Sequence, residues 1–425
     1  MTPAALVGSL TIGCTFAFSP VAGVLTDHFG IRPTAIGGGF LAAIGMLASS
    51  FLCQSVEALY FSYGVLFGVG SSLAYTPSLA VLPLHFNRRL GLANGLVTAG
   101  SSVFTVVLPL AMGWLVNNTN LERTLQAMAA LVAFIPVCAV CFKYPKKQED
   151  ILDDDAPVKT PPLLSGSQAI AKPKKSHIMG INFEIWRRRK YVIWALAIPS
   201  ALFGYFVPYV HMVKFVNLNF PENDGKVLVM CIGLTSGVGR LVFGKIADMP
   251  RVDRIVLQQI SFVSIGSLTM LLVATNSFTV LTVLALGMGL FDGCFISLLG
   301  PIAFDLCGAS GATQAIGFLL GLCSIPLTAG PPIAGAIFDH SGSYTLPFLL
   351  AGIPPIVGAG VMFLVRCAKS DEEAQIHHED SLPVIKIKET NGDISCIKNR
   401  RSASIGEPED DADLEQLSPI IISNS

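Results

Sequence analysis

Long apolar stretches separated by short polar loops make up most of the chain. A helix that crosses a bilayer needs about 20 mostly apolar residues, because the hydrocarbon core is ~30 Å thick. Five such stretches precede the polar segment 144–190 and six follow it. The pattern predicts an all-α membrane protein with about 11 transmembrane helices, at residues 3–26, 33–53, 58–83, 91–115, 124–143, 191–214, 227–247, 256–275, 279–301, 312–337 and 345–366.

Two segments break this pattern and divide the chain into four parts. Residues 144–190 and 367–425 hold 35 of the 57 charged residues and show no apolar period. The first is predicted to be a cytoplasmic linker, disordered or loosely helical, and the second a disordered cytoplasmic tail. Residues 1–143 then form an N-terminal bundle of five helices, and residues 191–366 form a C-terminal bundle of six.

Composition explains why lipid must cover the two bundles. The chain is 52% hydrophobic and 13% charged, whereas a soluble domain is about 25% charged. These values argue against a soluble enzyme, a nucleic-acid-binding protein and a secreted disulfide scaffold. The ten cysteines show no spacing of a disulfide framework or a metal site, and Cys138 and Cys141 are predicted to be small buried residues. We expect no enzymatic activity, no cofactor and no bound metal.

The distribution of Lys and Arg predicts the orientation. Alternate loops are basic, and the longest of them is the linker 144–190. Cytoplasmic loops of membrane proteins carry the excess of basic residues. The linker and the C-terminal tail are therefore predicted to be cytoplasmic, and the N-terminus lies on the outside when eleven spans are counted.

The chain resembles itself at an offset near 220 residues. Each match is short, but three occur in the same order, which indicates two parallel halves as in large secondary transporters. At this offset, the counterpart of the span 191–214 would lie before residue 1. The first half is therefore expected to lack the first helix of a twelve-helix protein. A true eleven-span topology is the alternative. The matching segments are Val21–Asp27 with Val242–Asp248, Gly68–Gly70 with Gly287–Gly289, and Gly91 and Gly95 with Gly317 and Gly321.

Two charged residues lie in the middle of predicted spans. Arg240 and Asp292 are on the second and fourth helices of the second half. A bare charge in lipid costs several kcal/mol or more, so both are expected to face a cavity or a partner. Because their charges are opposite, we expect them to contact each other. A structural ion pair and a pair at the substrate path both fit this pattern.

Another candidate site segment is Tyr205–His211, at the end of the first span of the second half. Pro208 is expected to kink the helix and to free a backbone carbonyl. The candidates for substrate contact in this segment are Tyr205, Phe206 and His211. Of these, His211 can donate and accept hydrogen bonds near neutral pH. The alternative is an interfacial aromatic belt.

The loop between the first two spans reads Asp27-His28-Phe29-Gly30-Ile31-Arg32, a D-x-x-G-x-R pattern. A carboxylate at a helix end and a basic residue can clamp neighbouring helices, and Gly30 permits a tight turn. We predict that Asp27, Gly30 and Arg32 act in gating and do not contact substrate. The alternative is an ordinary solvated loop.

Together these segments resemble the monocarboxylate transporter family of the major facilitator superfamily, and within it the branch that carries aromatic amino acids and thyroid hormones. The D-x-x-G-x-R pattern is the loop signature of that superfamily. The resemblance covers both halves from about residue 5 to residue 366. Further matching segments are Arg88–Gly95, Gly204–His211, Thr235–Arg240, Phe291–Ser297, Gln314–Gly317, Pro331–Gly335 and Ala351–Pro355.

The resemblance implies a fold of two parallel-repeat helix bundles and a plasma-membrane uniporter that works by alternating access. It implies that His211, Arg240 and Asp292 line or shape the substrate path and that proton coupling is not required. The substrate would be an aromatic amino acid or an iodothyronine, and the partners would be the lipid bilayer and an accessory membrane protein or a second copy, with no nucleic acid. The family's acidic-aromatic motif on the first helix is absent from this sequence.

Two alternatives stay open at this stage. One is a proton-coupled carrier of lactate or pyruvate, for which flux would depend on pH. The other is a truncated membrane protein that does not transport and acts through interaction, an idea that the missing first helix motivates.

Overall fold

The computed structural model describes residues 3–86, 89–142, 177–178, 181–308, 311–368, 384–390 and 393–399. The helices of the first half are α1 (Pro3–Ala17), α2 (Ser19–Phe29), α3 (Ile31–Phe51), α4 (Val56–Leu59), a π-helical segment (Tyr60–Phe67) that continues into α5 (Gly68–Ala80), α6 (Leu82–His85), α7 (Leu90–Asn118), α8 (Leu121–Val132) and α9 (Phe134–Ala139). Those that follow are α10 (Glu184–Arg187), α11 (Arg189–Tyr205), α12 (Val207–Asn219), α13 (Gly225–Ala247), α14 (Arg254–Leu271), a 3₁₀ turn (Leu272–Ala274), α15 (Phe278–Cys307), α16 (Ala312–Ser341) and α17 (Thr345–Cys367).

The number of membrane-crossing helices agrees with the prediction. Within the described ranges, ten helices are long and apolar enough to cross a membrane, and an eleventh is the bent pair α1–α2. The predicted all-α fold with about 11 spans is thereby confirmed. The helix boundaries differ from the predicted ones by several residues, most clearly for α15, which extends to Cys307.

Proline residues explain two breaks within spans. Pro20 is the second residue of α2, and Pro208 is the second residue of α12. Proline lacks the N–H that would continue the preceding helix, and its ring clashes with the carbonyl four residues earlier. The α1–α2 pair is bent by 40°, and α11 and α12 are separated at Phe206. The predicted interruption at Pro208 is therefore present.

The repeated glycine segments meet reciprocally across the two halves. Gly23 of α2 lies against Gly317 of α16, and a methyl group added at Gly317 would lie 3.4 Å from Gly23 Cα. Gly244 of α13 lies against Gly91 of α7, and a methyl group there would come 2.6 Å from the Gly91 carbonyl oxygen. Each half thus offers the same two segments to the other half, as a pseudo-two-fold repeat requires.

One position of the repeat is not filled in the first half. In the second half, α11 packs against both α16 and α17, whose counterparts by the repeat are α7 and α8–α9. No helix of the described residues packs in this way against both α7 and α8–α9. The large side chains of α7 are accordingly exposed, for example Leu96, Leu110 and Trp114. Within the described residues, the place that α11 takes in the second half therefore has no counterpart in the first half.

The end of the linker is ordered where the sequence predicted disorder or a loose helix. Strands β1 (His177–Ile178) and β2 (Ile181–Asn182) pair antiparallel, and α10 follows them. Ile185 is 2% exposed, and the Trp186 ring packs edge-on against Phe318. Burial of these apolar side chains holds the segment against α16. Residues 143–176 lie outside the described residues.

The C-terminal tail forms a separate unit that also contains ordered residues. Strands β3 (Val384–Thr390) and β4 (Asp393–Asn399) pair antiparallel, with Thr390 opposite Asp393. The prediction of a disordered tail missed a hairpin signal, since Asn391-Gly392 separates two alternating apolar segments. The rest of the tail lies outside the described residues.

The prediction for one cysteine pair is wrong. Cys138 and Cys141 are exposed, although their apolar surroundings predicted burial. Cys138 lies near the end of α9 and Cys141 lies just after it, on a surface that would face lipid. Because lipid can cover apolar residues, the apolar surroundings of these cysteines do not imply burial inside the protein.

Candidate functional site

A buried ion pair lies at the centre of the second half. Arg240 of α13 and Asp292 of α15 are 6% and 5% exposed. The Arg240 Nη2 and Asp292 Oδ2 atoms are 3.8 Å apart. The predicted contact between these two side chains is therefore confirmed, whereas a role in substrate binding stays a prediction.

Two hydroxyl groups fix the Asp292 carboxylate from different helices. Tyr205 Oη of α11 donates to Oδ1, and Ser236 Oγ of α13 donates to Oδ2. An ionised carboxylate only accepts hydrogen bonds, and bonds of this kind are stronger than those between neutral groups. Asp292 is thus held in one orientation by α11 and α13 at once.

The Arg240 side chain also contacts the first half of the protein. Its Nη1 donates to the Thr98 carbonyl oxygen and to Ser101 Oγ, both on α7. Its Nε is buried and has no hydrogen-bond partner among the described residues. A buried donor without an acceptor costs ~1–3 kcal/mol, so this guanidinium retains a binding capacity that the surrounding side chains do not use.

Aromatic rings surround this polar centre. The Tyr205 ring centroid lies 5.4 Å from that of Tyr209 and 5.5 Å from that of Phe295. Phe206, at the junction of α11 and α12, stacks on Tyr209 at 5.8 Å. Aromatic pairs favour such offset and edge-to-face arrangements. The site therefore combines one cation and one anion with an aromatic wall.

His211 belongs to a different group of side chains. Its Nε2 lies 3.0 Å from the Pro331 carbonyl oxygen, and its Nδ1 lies 3.3 Å from Tyr344 Oη. Burial and the nearby Asp339 raise the pKa of Tyr344 to about 12, so its phenol stays protonated near neutral pH. Because a carbonyl oxygen only accepts, Nε2 donates to Pro331, and Nδ1 faces the Tyr344 hydroxyl group, which can donate or accept. Both ring nitrogens are engaged, and neither contacts Arg240 or Asp292.

The predicted gating residues lie where the ends of the two halves meet. Asp27 Oδ2 accepts a hydrogen bond of 2.8 Å from Gln314 Nε2 on α16, so a first-half carboxylate contacts a second-half helix. Gly30 connects α2 to α3 with φ +96°, a left-handed conformation that favours glycine. Arg32 is exposed and forms no ion pair within the described ranges. The clamp predicted for the loop therefore involves Asp27, with Arg32 outside it.

Sequence reasoning missed the counterpart of this clamp in the second half. Asp248 occupies the position equivalent to Asp27 and accepts hydrogen bonds from the backbone N–H groups of Gly91 and Leu92, at 2.7 and 2.8 Å. These groups lie at the N-terminus of α7, where the helix dipole also favours a negative charge. Arg254 joins Asp248 to Asp305. The repeat of Val21–Asp27 in Val242–Asp248 was the signal that could have found it. We call the end of the molecule that contains Asp27 and Asp248 the gate end.

Comparisons with known proteins agree with this architecture. The sequence profile of the Major Facilitator Superfamily matches residues 2–270. Monocarboxylate transporter 10 of Rattus norvegicus is 46% identical over 377 residues, which cover 88% of this chain and 71% of that protein. The Homo sapiens protein of the same name is 45% identical over 374 residues, with 88% and 71% covered. Monocarboxylate transporter 12 of Xenopus laevis is 27% identical over 407 residues, with 92% and 87% covered.

Solved structures show the same fold at low sequence identity. The human organic anion transporter MFSD10 (TETRAN) has a TM-score of 0.64 and 14% identity, with 84% of this chain and 83% of that chain covered. FucP in the outward conformation has a TM-score of 0.61 and 13% identity, with 86% and 89% covered.

The membrane-crossing helices and these relatives define a multi-pass membrane transporter. This chain belongs to the Major Facilitator Superfamily and, within it, to the monocarboxylate transporter family.

Proposed function

We propose that this transporter carries aromatic amino acids, iodothyronines or both by facilitated diffusion through alternating access. The observation that supports the substrate class is the combination at one site of Arg240, Asp292 and an aromatic wall that includes Tyr205 and Phe206. An amino acid of this class has a carboxylate, an ammonium group and an aromatic ring. Each of these groups finds a complementary partner in that set.

Arg240 is the proposed partner of the substrate carboxylate. Its Nη1 donates to neutral acceptors on α7, and its Nε has no partner among the described residues. A carboxylate is a stronger acceptor than a carbonyl or a hydroxyl oxygen and can bind a guanidinium through two hydrogen bonds. Binding of substrate would then exchange the contact between Arg240 and α7 for a contact with the ligand, and would loosen one connection between the halves.

Asp292 is proposed to balance the charge of Arg240 and to meet the substrate ammonium group. The hydroxyl groups of Tyr205 and Ser236 hold this carboxylate in place, so it can attract a cation without moving. Phe206 and the Tyr205 ring would pack against the substrate ring. His211 stays a proposed path residue, on the approach from the end of the molecule opposite the gate end.

Uptake measurements test the proposal against the alternative of proton-coupled lactate transport. Cells that express the chain are given labelled tryptophan, triiodothyronine or lactate at two pH values. The uniporter should carry an aromatic substrate with little dependence on pH. Lactate uptake that rises as the external pH falls would favour the proton-coupled alternative. No uptake of any substrate, with the protein present at the cell surface, would favour a form that does not transport.

We further propose that the protein lies in the plasma membrane with the linker 144–190 and the tail 367–425 in the cytoplasm. The basic residues of the alternate loops support this orientation. Epitope tags in both segments should be detected only after cells are permeabilised. Labelling of either tag on intact cells would contradict the orientation. An accessory membrane protein or a second copy remains a proposed partner.

A further inference from the structure

We propose that the basic run Arg187–Lys190 binds the headgroups of anionic phospholipids at the membrane surface. The run contains three arginines and one lysine in sequence, directly before the membrane span that begins at Arg189. Basic clusters beside a transmembrane helix attract anionic lipids, by ~1 kcal/mol for each residue near the surface. The proposal concerns a lipid site and does not depend on which substrate is transported.

The charges of this run lack acidic partners in the described part of the chain. Arg187 and Arg189 are exposed, and no ion pair joins any residue of the run to Glu184 or to another carboxylate there. Only Arg188 has a structural role, because its Nη1 donates at 2.9 Å to the Leu306 carbonyl oxygen near the C-terminal end of α15.

The position of the run makes these unpaired charges unfavourable without an external anion. Arg189 and Lys190 begin α11, and no acidic residue lies in its first turn. The N-terminus of a helix already carries a partial positive charge, so cations there are repelled and anions are attracted. Four consecutive cations add their mutual repulsion. A phosphate headgroup would offset both contributions.

Two basic residues elsewhere at the gate end are paired with carboxylates. Arg254 forms ion pairs with Asp248 and Asp305, and Arg366 lies 3.5 Å from Asp253. Arg32, Lys245 and Arg251 are exposed and form no ion pair within the described residues, but none of them belongs to a run of consecutive cations. The basic run differs from both groups because its four cations are consecutive, which is the charge pattern expected of a surface that binds an anionic headgroup.

The segment that carries the run is packed against the protein and has an apolar side chain beside the charges. Ile185 and Trp186 pack into the protein, and the Asn182 backbone N–H donates to Gln314 Oε1 at 2.9 Å. Phe183, in contrast, is 49% exposed. An exposed aromatic side chain next to fixed cations is suited to the interface between headgroups and acyl chains. These features favour a membrane lipid over a soluble anion as the ligand.

Lipid retention by the purified full-length chain tests the proposal. The protein is placed in nanodiscs of phosphatidylcholine with a minor fraction of fluorescent phosphatidylinositol bisphosphate, and lipid binding is read by energy transfer from the protein. The variant is Arg187→Gln with Arg189→Gln and Lys190→Gln. The matched control is Lys245→Gln with Arg251→Gln and Arg366→Gln, which removes the same charge at the same end.

The basic-run variant should bind the anionic lipid about 100-fold more weakly, ~5-fold for each residue removed, whereas the control should change little. Equal binding by wild type and variant, or an equal loss in the control, would overturn the proposal. Full competition by free inositol phosphate would assign the site to a soluble anion instead. If the triple variant does not fold, the single variant Arg189→Gln should still show the ~5-fold loss, and unchanged binding would count against the site.

Discussion

Removal of one member of the Arg240–Asp292 pair should abolish transport. Both side chains are about 95% buried, and their charged atoms are 3.8 Å apart. Breaking a buried pair costs ~3–5 kcal/mol, since the remaining charge is left uncompensated. This is a large part of the ~5–15 kcal/mol that typically stabilises a folded domain. Arg240→Ala and Asp292→Ala should therefore lower both the surface level and the uptake per molecule.

A graded series separates loss of stability from loss of substrate binding. Tyr205→Phe removes one hydrogen bond to the Asp292 carboxylate and should cost ~1.5–3 kcal/mol, less than Asp292→Ala. Arg240→Lys keeps the charge but loses the planar fork that reaches Thr98 and Ser101. We expect Arg240→Lys to reach the cell surface and to show a raised KM for the substrate.

A charge swap should not rescue either single variant. An arginine at position 292 would face the hydroxyl groups of Tyr205 and Ser236, and an aspartate at position 240 would face the Thr98 carbonyl oxygen. A carboxylate at position 240 would find no donor in the Thr98 carbonyl oxygen, even though the Tyr205 and Ser236 hydroxyl groups could accept from an arginine at position 292. Surface level is measured by biotinylation and uptake with labelled tryptophan or triiodothyronine, each normalised to the protein present. Normal uptake by either alanine variant would refute this reasoning.

Three further predictions concern the helix crossing, the gate end and the opposite end. Gly244→Ala should destabilise the protein strongly, because the added methyl group would lie 2.6 Å from the Gly91 carbonyl oxygen. Gly37→Ala should be tolerated, because a methyl group there would have no atom within 4 Å. Thermal unfolding in detergent compares the two variants. Asp248→Asn should weaken the hydrogen bonds from the N–H groups of Gly91 and Leu92 by ~1–2 kcal/mol. Cysteines placed at the gate end should then become more accessible to a thiol reagent. Unchanged labelling would exclude a gating role. The pKa of Tyr344 is raised from its ordinary value of 10.0 to about 12 in the folded protein. Its protonated form therefore stabilises the fold below pH 10, and this contribution is lost as the pH rises through 12. Tyr344→Phe should remove that part of the alkaline loss of stability, and identical pH profiles would contradict the assignment.

The sequence predicted those features that depend on local pattern or on a strong physical cost. Apolar length predicted the spans, and the repeat predicted that α2 and α13 are equivalent. The contact between Arg240 and Asp292 followed from the cost of an isolated charge at membrane depth. No local pattern marks Thr98 and Ser101 as partners of Arg240, because that contact depends on how α7 crosses α13.

The position of His211 shows another limit of sequence reasoning. It is six residues from Tyr205, and this proximity suggested a common site. Six residues of helix span about 9 Å, and the chain is also broken at Phe206, so the two side chains have different neighbours. His211 contacts Pro331 and Tyr344, which are more than 100 residues away in the chain. Such long-range contacts are set by helix packing and leave no signal in a single sequence.

Competition by substrate analogues tests the central claim, that Arg240 binds the carboxylate of an aromatic substrate. Uptake of labelled tryptophan is measured in the presence of tryptamine, which lacks the carboxylate, and of indole-3-propionate, which lacks the ammonium group. If Arg240 binds the carboxylate, indole-3-propionate should compete and tryptamine should not, and Arg240→Lys should weaken the competition by indole-3-propionate. Competition by tryptamine that equals competition by unlabelled tryptophan would contradict the account.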